Sequence, residues 1–451
     1  MPAVGATDVE ALRTPSNGAI ALPWGQQSLE LTLPPAWSVT TLAPAHAAPV
    51  ADVAEAVRDS LRAPIGMPPL TVLAGRETRV ALVVDDGSRP TPVAAILPEV
   101  IAELERAGAS RARMTLVTAL GLHRPMVDAE LIERCGPESL DGVHWENHDC
   151  DDGERLVRLG TTSRGTPVLV NRTVAGADLV VAIGCIEPHL IAGFGGGAKI
   201  LVPGVAGRAT IGHNHALHTT PETFDGVGRT AEDSPMRLDL EEAAAMLAPP
   251  VFVVDAVLNG ELGVVRIVSG HSVDAHREGM RTSRRIFAVP LDAPVDVVIT
   301  DSHPMDQDLR QGMKAVGNAI RAVRKGGVLV ALIRAEEGVG EVGLAGGRRR
   351  LGRRALTALA PLLVRLVPRL GLGGMGEEDR FFLYFALQAM RRATLLLYAP
   401  TVPDDVRAGL PFAEFVDSPE AAIVRARMLV GDTAHAVVFP DGGATYPELG
   451  P

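Results

Sequence analysis

The 451-residue sequence has few cysteines and few aromatic residues. Its three cysteines are Cys135, Cys150 and Cys185, and aromatic residues make up 4% of the chain. An odd number of widely separated cysteines does not predict a disulfide framework, and the absence of a CxxC pair argues against structural zinc. We therefore expect a fold that depends on neither disulfides nor a zinc site.

A long apolar run is also missing. The most hydrophobic stretch, residues 355–372, is interrupted by Pro361, Arg365, Pro368 and Arg369, so it is not expected to span a membrane. The first residues, MPAVGATDVEALR, contain acids and lack the apolar core of a secretion signal. The sequence therefore predicts a cytoplasmic protein without a membrane partner.

The sequence has no excess of positive charge. Lysine and arginine number 43 against 54 acidic residues, which gives a formal net charge of −11. Nucleic-acid binding needs a basic surface that displaces counterions, so no nucleic-acid partner is expected. The chain is 47% hydrophobic, which suffices for substantial cores, and its length predicts two or three folded units.

Short apolar runs alternate with helical patterns along the chain. The predicted buried strands are Val80–Val84, Met114–Thr118, Leu179–Ile183, Val251–Val254, Val295–Thr300 and Val328–Ile333. Helices are predicted over Val93–Arg106 and Gln307–Arg324. This alternation predicts an α/β fold with two α/β domains, mostly parallel sheets and an active-site cleft between the domains.

The predicted domain boundary lies near residue 282. The helical segment His271–Arg285 would connect the domains, and a new strand–loop–helix series starts after it. We expect an N-terminal domain over residues 1–282, completed by the tail 427–451, and a C-terminal domain over 283–426.

The residues richest in chemical groups form the segment EPHLIAGFGGGAKILVPGVAGRATIGHNHALH, Glu187 to His218. Its glycines permit close backbone approach, and exposed N–H groups there could hold a phosphate. Lys199 adds a cation or a nucleophilic amine. His189 and His215 can transfer protons or bind a metal.

Two further motifs directly follow predicted strands. In VVDDGSRPTP (83–92), Arg89 could bind a carboxylate or phosphate through two hydrogen bonds. The alternative is an Asp-capped turn tied by one salt bridge. In TALGLHRP (118–125), His123 lies in a tight loop, and a single loop histidine is more often structural than catalytic.

Polar residues recur at helical spacing in a fourth motif, SHPMDQDLRQGMKAVGNA (302–319). Gln307, Arg310, Gln311 and Lys314 fall on neighbouring helix faces. Such a stripe is usually a solvated surface, and the alternative is one wall of a cleft that binds an anion. The arginines at 348–350 are likewise either a solvated loop or an anion-binding lid.

Together and in this order, the four motifs resemble the nickel-dependent lactate racemase family. The resemblance extends from about Arg79 to the C terminus, and its strongest part is EPH…GFGGGAK…NH. It implies an isomerase, a racemase or epimerase that inverts the hydroxyl-bearing carbon of a small 2-hydroxy acid. The N-terminal domain would bind the cofactor, and the C-terminal domain would close over the substrate.

The resemblance also implies a cofactor, the nickel-pincer nucleotide (nickel pyridinium-3,5-bisthiocarboxylate mononucleotide). Lys199 matches the lysine that holds it covalently, and His215 matches the nickel ligand. Sulfur, carbon and imidazole donors suit square-planar nickel. Cofactor-biosynthesis proteins would load it. The cofactor-binding residues implied are Asp86, Gly87, Ser88, Arg89, Gly195, Gly196, Gly197, Lys199 and His215.

His123 and His189 match the paired catalytic histidines, one for each face of the substrate. The implied reaction is proton-coupled hydride transfer: one histidine takes the hydroxyl proton while the cofactor accepts hydride, and the resulting 2-keto acid is reduced on its other face. The substrate-binding residues implied are Arg89, Arg310, Gln311 and Lys314.

Three departures from the family pattern affect the substrate side. Ser88 replaces a threonine and keeps its hydroxyl. Arg310 stands where the lactate enzymes have tyrosine, and Asp301-Ser302-His303-Pro304 replaces a Gly-Gly-Tyr-Pro type of turn. The hypothesis is that Arg310 accommodates a second anionic or polyhydroxyl group, as in malate or a sugar acid.

Two other functions remain open at this point. The same cofactor could serve a 2-hydroxy acid dehydrogenase or dehydratase, but a one-directional reaction needs only one facial base, so the pair His123 and His189 favours inversion. The second alternative is a non-catalytic nickel- or nucleotide-binding protein. His213 and His218 flank His215 and could compete for the metal. The identity of the acid and the oligomeric state are left open.

Overall fold

A computed structural model describes residues 12–13, 19–217, 226–340, 353–367 and 377–450. The strands of these residues are β1 (Leu12–Arg13), β2 (Ala19–Trp24), β3 (Gln27–Thr32), β4 (Ser38–Thr41), β5 (Val80–Asp85), β6 (Met114–Ala119), β7 (His144–Asn147), β8 (Leu156–Thr161), β9 (Pro167–Asn171), β10 (Leu179–Cys185), β11 (Pro188–His189), β12 (Gly193–Phe194), β13 (Val251–Leu258), β14 (Val264–His271), β15 (Ala288–Leu291), β16 (Val295–Asp301), β17 (Val323–Leu332), β18 (Ala393–Tyr398), β19 (Glu414–Phe415), β20 (His435–Phe439) and β21 (Tyr446–Leu449).

The α-helices of the same residues are α1 (Val53–Arg62), α2 (Leu70–Leu73), α3 (Val93–Arg106), α4 (Asp128–Cys135), α5 (Pro137–Leu140), α6 (Arg172–Ala175), α7 (Arg208–Ala216), α8 (Pro235–Ala245), α9 (Asp274–Phe287), α10 (Leu309–Ala319), α11 (Arg353–Leu366), α12 (Glu377–Arg392), α13 (Asp404–Ala408) and α14 (Pro419–Val430). Short 3₁₀ turns lie at Arg111–Arg113, Gly197–Ile200, Ala231–Asp233 and Ile320–Ala322.

The first sheet has six strands in the order β14–β13–β10–β5–β6–β7. All neighbours pair in parallel except β13 and β14. Strands β5 and β10 are buried along their whole length, because apolar clusters cover both faces of the sheet. Continuous apolar runs of this kind are what a parallel sheet buried on both faces requires.

The second sheet has seven strands in the order β1–β4–β20–β16–β17–β18–β19. Only β1 and β4 pair antiparallel. Separate apolar clusters again lie on its two faces. The predicted α/β class with mostly parallel sheets is therefore confirmed.

Strand pairing places segments from both ends of the chain in the second sheet, unlike the predicted domain bounds. The tail 427–451 was expected to complete the N-terminal domain, but β20 pairs with β16 and β4 in the second sheet. Strand β4, from the N-terminal part, lies in that sheet too. Strand β21 pairs with β15, and Tyr446 packs against Phe194. The bounds 1–282 and 283–426 stay a prediction.

Most predicted elements occur within a few residues of their expected ends. Helix α3 has the predicted bounds, and α9 covers most of the predicted connector. Helix α10 is shorter than predicted because Asp308 caps it: the Asp308 side chain accepts a hydrogen bond from Gln311 N at 2.7 Å, and a 3₁₀ turn follows Ala319. The arginines at 348–350 lie outside the described residues.

All three cysteines lie in described segments and form no disulfide, as expected. Among the described residues, no helix has the length and apolar composition needed to cross a bilayer.

Candidate active site

The carboxyl ends of three adjacent strands carry predicted site residues. Asp86 follows β5, His123 follows β6 and His189 lies just beyond β10. Because β10, β5 and β6 are parallel neighbours, these ends meet at one edge of the sheet, where α/β enzymes place ligands. All three residues line a cavity of about 240 Å³, together with Lys199 and His215.

Asp86 and His123 form a hydrogen-bonded pair. His123 Nδ1 lies 2.5 Å from Asp86 Oδ2, and Ser88 donates to Asp86 Oδ1 from its backbone N at 2.8 Å. Burial by itself raises the pKa of Asp86, but the hydrogen bonds from His123 and Ser88 outweigh it and hold this pKa below its usual range. An ionised Asp86 accepts a hydrogen bond from His123 Nδ1. In the neutral ring, the lone pair is therefore on His123 Nε2.

The second-sheet residue Gln311 approaches that free nitrogen. Gln311 Nε2 lies 3.4 Å from His123 Nε2, and Gln311 Oε1 is buried without a hydrogen-bond partner among the described residues. Gln311 and Arg310 lie in the first turn of α10 and line the same cavity as His123. The predicted stripe on α10 is therefore a cavity wall rather than a solvated surface.

His189 has the opposite hydrogen-bonding pattern. Its Nδ1 accepts from the backbone N–H groups of Ile191 at 3.3 Å and Ala192 at 3.2 Å. A backbone N–H can only donate, so the ring proton is on Nε2. Burial, followed by the charges of Lys199 and Lys314, holds the pKa of His189 well below its ordinary value. His189 is neutral at physiological pH.

Glu187 joins two predicted substrate residues, and the sequence analysis gave it no role. Its Oε1 accepts from Arg89 Nη1 at 2.8 Å and from Lys314 Nζ at 3.5 Å. Burial raises the pKa of Glu187, but the positive charges of Lys314 and Arg89 outweigh it, so the net shift is downward. Its Oε2 is buried with no hydrogen-bond partner among the described residues. Its only sequence signal was its position beside Pro188-His189 at the end of a strand.

Lys199 lies in this cavity with other cations nearby. Burial, followed by the charges of Arg89 and Lys314, lowers the pKa of Lys199 well below its usual value. The uncharged, nucleophilic form of this amine is therefore more accessible than that of an exposed lysine. The chain has three lysines, Lys199, Lys314 and Lys325, and the first two line the cavity.

Backbone N–H groups of the glycine-rich loop donate hydrogen bonds within the protein. Gly195 N donates to Glu187 O at 2.7 Å, and Gly197 N donates to Asp255 Oδ2 at 2.8 Å. These two N–H groups are therefore not free to hold a phosphate. A Cβ added at Gly196 would lie 2.9 Å from Cys185 O, so glycine is needed there for packing against the protein.

Two buried side chains behind the loop hold its carbonyl groups. Arg237 has no exposed surface, and it donates to the carbonyls of Ala192, Phe194 and Gly196. His276 Nε2 lies 2.9 Å from Gly195 O. Sequence reasoning missed both residues, because they follow the loop by 40 residues or more and belong to ordinary helical patterns.

His215 lies near the end of α7 and lines the cavity. The neighbouring His213 does not line it; its Nε2 lies 3.4 Å from Arg164 O instead. This placement removes His213 as a competitor for a metal at His215. His218 lies outside the described residues.

A second cavity of about 690 Å³ adjoins the first. The two share Asp86, His123, Arg310 and Gln311. The predicted cofactor residues Gly87 and Ser88 line only the second cavity, and Gly197 lines neither. The structure thus brings 11 of the 14 predicted site residues around the first cavity, namely Asp86, Arg89, His123, His189, Gly195, Gly196, Lys199, His215, Arg310, Gln311 and Lys314.

Known proteins resemble this chain in sequence. Residues 24–226 match the family described as the lactate racemase N-terminal domain. The lactate racemase of Thermoanaerobacterium thermosaccharolyticum is 30% identical over 289 residues, 64% of this chain and 67% of that protein. The lactate racemase of Lactiplantibacillus plantarum is 29% identical over 290 residues, 64% of this chain and 68% of that protein.

Solved structures show the same fold. The lactate racemase apoprotein from T. thermosaccharolyticum superposes with a TM-score of 0.80 at 24% identity, covering 95% of this chain and all of the other. A protein from Thermotoga maritima superposes with a TM-score of 0.65 at 16% identity, covering 88% of this chain and 98% of the other.

Sequence similarity and the cavity together define an isomerase of the racemase class. The chain belongs to the lactate racemase family.

Proposed function

We propose that this protein inverts the hydroxyl-bearing carbon of a small 2-hydroxy acid, with a nickel-pincer nucleotide attached to Lys199. One observation carries the proposal. Two histidines with opposite hydrogen-bonding patterns and a buried lysine with a lowered pKa line a single cavity.

The residues around the cavity fit such a cofactor. Lys199 offers an amine with a lowered pKa for covalent attachment, and His215 offers an imidazole in the same cavity. Imidazole with sulfur donors favours nickel over hard cations. When bound, this cofactor supplies a hydride acceptor, which no side chain of the protein can provide.

The chain's own residues handle the protons. The ionised Asp86 holds the His123 ring through Nδ1, so the lone pair on Nε2 can accept the hydroxyl proton of the substrate. The neutral His189 carries its proton on Nε2 and can donate a hydrogen bond to the substrate oxygen. The proton that His123 takes is held beside the ionised Asp86 and returns to the oxygen after hydride has reached the other face. Inversion in the opposite direction requires that the two histidines exchange these roles, and with them the tautomers of their rings.

Arg89 and Lys314 provide the cations that hold the substrate carboxylate. Both already contact Glu187, whose single charge leaves one positive charge in excess between them. A carboxylate that binds beside Lys314 is thereby held in the cavity that His189 and His123 also line. In this proposal, Arg310 and Gln311 also bind the substrate.

Racemisation in D₂O tests the reaction type. The loaded protein should convert each enantiomer of a 2-hydroxy acid into the other while the hydrogen on C2 remains protium, because hydride transfer does not exchange with solvent. Chiral chromatography with mass spectrometry measures both quantities. Deuterium at C2 of the inverted product would instead show proton abstraction from carbon and would overturn the proposed mechanism.

The same assay separates the alternatives. Net accumulation of a 2-oxo acid would favour a dehydrogenase, and an unsaturated acid would favour a dehydratase. A Lys199 adduct without turnover of any acid would favour a binding protein. A cytoplasmic location, loading by cofactor-biosynthesis proteins and closure of residues 283–426 over the substrate belong to the same proposal.

The role of Lys314 predicts a pH dependence. Burial and the charge of Arg89 lower the pKa of Lys314 to about 8. The ammonium is charged below this pH and neutral above it, so kcat/KM for the anionic substrate should fall as the pH rises through about 8. Lys314→Arg, which stays charged, should lose this limb of the profile. An identical alkaline limb in both proteins would exclude Lys314 as its source.

A further inference from the structure

One side of the catalytic cavity offers no polar side chain. It consists of Phe381, Phe385, Ala386, Ala389, Leu395 and Phe412. We call this set the apolar wall. It includes every described lining residue of the first cavity that follows Lys314 in the chain.

The apolar wall adjoins the groups that act on the substrate. Met313 continues the wall and precedes Lys314 on α10. Helix α12, which carries Phe381 and Phe385, packs against α7, which carries His215. A molecule whose carboxylate lies at Lys314 therefore has an apolar surface within reach of its other end.

This surface discriminates among 2-hydroxy acids. The methyl group of lactate is too small to fill a cavity that is bounded on this side by three phenylalanine side chains, of which Phe412 is the most exposed. The hydroxyl groups of a sugar acid would lose hydrogen bonds to water there and find no side-chain replacement. An apolar substituent gains roughly 10–200-fold in kcat/KM for each methylene that such a pocket accepts.

The surroundings of Arg310 argue against a second carboxylate on the substrate. Arg310 lines the junction with the second cavity, which also contains five carboxylates and two further arginines: Asp86, Glu130, Glu133, Asp308, Glu337, Arg124 and Arg134. Arg124 pairs with Glu130, and Arg134 pairs with Asp85. Acidic groups outnumber basic ones in this cavity, which disfavours a dianion such as malate.

We propose that the substrate of this chain is a 2-hydroxy acid with an aromatic or branched apolar side chain, which lies against the apolar wall. The inference rests on the proposed function. It replaces the hypothesis that Arg310 selects a second anionic or polyhydroxyl group, and it makes the opposite prediction for the same set of acids.

A substrate series decides between them. The loaded holoenzyme is assayed by chiral chromatography with both enantiomers of phenyllactate, 2-hydroxyisocaproate, lactate and malate, and with D-gluconate. We expect kcat/KM for phenyllactate or 2-hydroxyisocaproate to exceed that for lactate by at least about 10-fold. A preference for lactate, malate or gluconate, or equal rates for all acids, would overturn the inference and leave the proposed function intact. If no acid is inverted by protein that carries the Lys199 adduct, the proposed function itself fails.

Phe412→Ala tests whether the apolar wall contacts the side chain of the substrate. Phe412 is only half-buried, so the variant is expected to fold, which circular dichroism and the mass of the Lys199 adduct verify. We expect kcat/KM for phenyllactate to fall by at least about 10-fold and that for lactate by less than threefold. Equal losses for both acids would show that Phe412 only supports the fold. Phe385→Leu provides a second, milder variant that replaces the ring with a smaller branched apolar side chain. It should shift the preference from phenyllactate towards 2-hydroxyisocaproate; an unchanged ratio would contradict contact at that position.

Discussion

Replacing Lys199 with alanine should reduce racemisation to background and remove the mass increment of the attached cofactor. The pKa of Lys199 is lowered in the folded protein, because burial and the nearby charges of Arg89 and Lys314 disfavour the ammonium form. No second lysine can take over, since Lys314 contacts Glu187 and Lys325 is exposed. Intact-mass spectrometry, nickel analysis and the chiral assay measure the three consequences separately.

Two control variants show whether the loss is specific to this amine. Lys199→Arg restores a cation but not a nucleophilic amine, so it should also remain unloaded. Lys325→Ala removes the exposed lysine of β17 and should load and react like the unchanged protein. Retention of the adduct in Lys199→Ala, or its loss in Lys325→Ala, would disprove attachment at Lys199.

His123→Asn and His189→Asn should each lower racemisation by about 10²–10⁴-fold, the usual effect of removing a positioned acid or base. Neither substitution touches Lys199, so the cofactor adduct should persist. The double variant should lose little more than the worse single variant, because both histidines must act in each inversion.

His144→Asn is the matched control for these two variants. His144 is exposed at the start of β7, away from the cavity, and its replacement should leave racemisation unchanged. A single variant at position 123 or 189 that kept more than a small fraction of the activity would rule out a two-histidine mechanism. Loss of the adduct in either variant would instead indicate a role in holding the cofactor.

The sequence predicts the parts of the site that follow buried strands. Asp86 and His123 are 37 residues apart, yet they meet because β5 and β6 are parallel neighbours, so their carboxyl ends coincide. The apolar runs and the polar residues after them carry this information. The same logic predicts that His189, after β10, lies on the same edge.

Other parts of the site have no local signal in the sequence. Arg237 lies in an ordinary helix, and only the fold shows that it binds three carbonyls of the glycine-rich loop. The glycines suggested phosphate binding, but in the structure they pack against the protein's own backbone. Close approach to a ligand and close approach to the backbone both require glycine, so the sequence does not distinguish them. Phe381 and Phe385 match a core helix pattern equally well, and only their position across from α7 distinguishes them.

The pairing of β4 with β20 has a consequence for synthesis of the protein. The first sheet is complete once β14 has emerged at His271, but β20, an interior strand of the second sheet, begins 164 residues later at His435 (435 − 271). At bacterial or eukaryotic elongation rates this interval lasts on the order of ten seconds. During that time the nascent chain already holds Lys199 and His215, while the second sheet still lacks a strand from its middle. In ribosome-bound chains of graded length, the first sheet, with Lys199 and His215, should therefore fold before the second sheet.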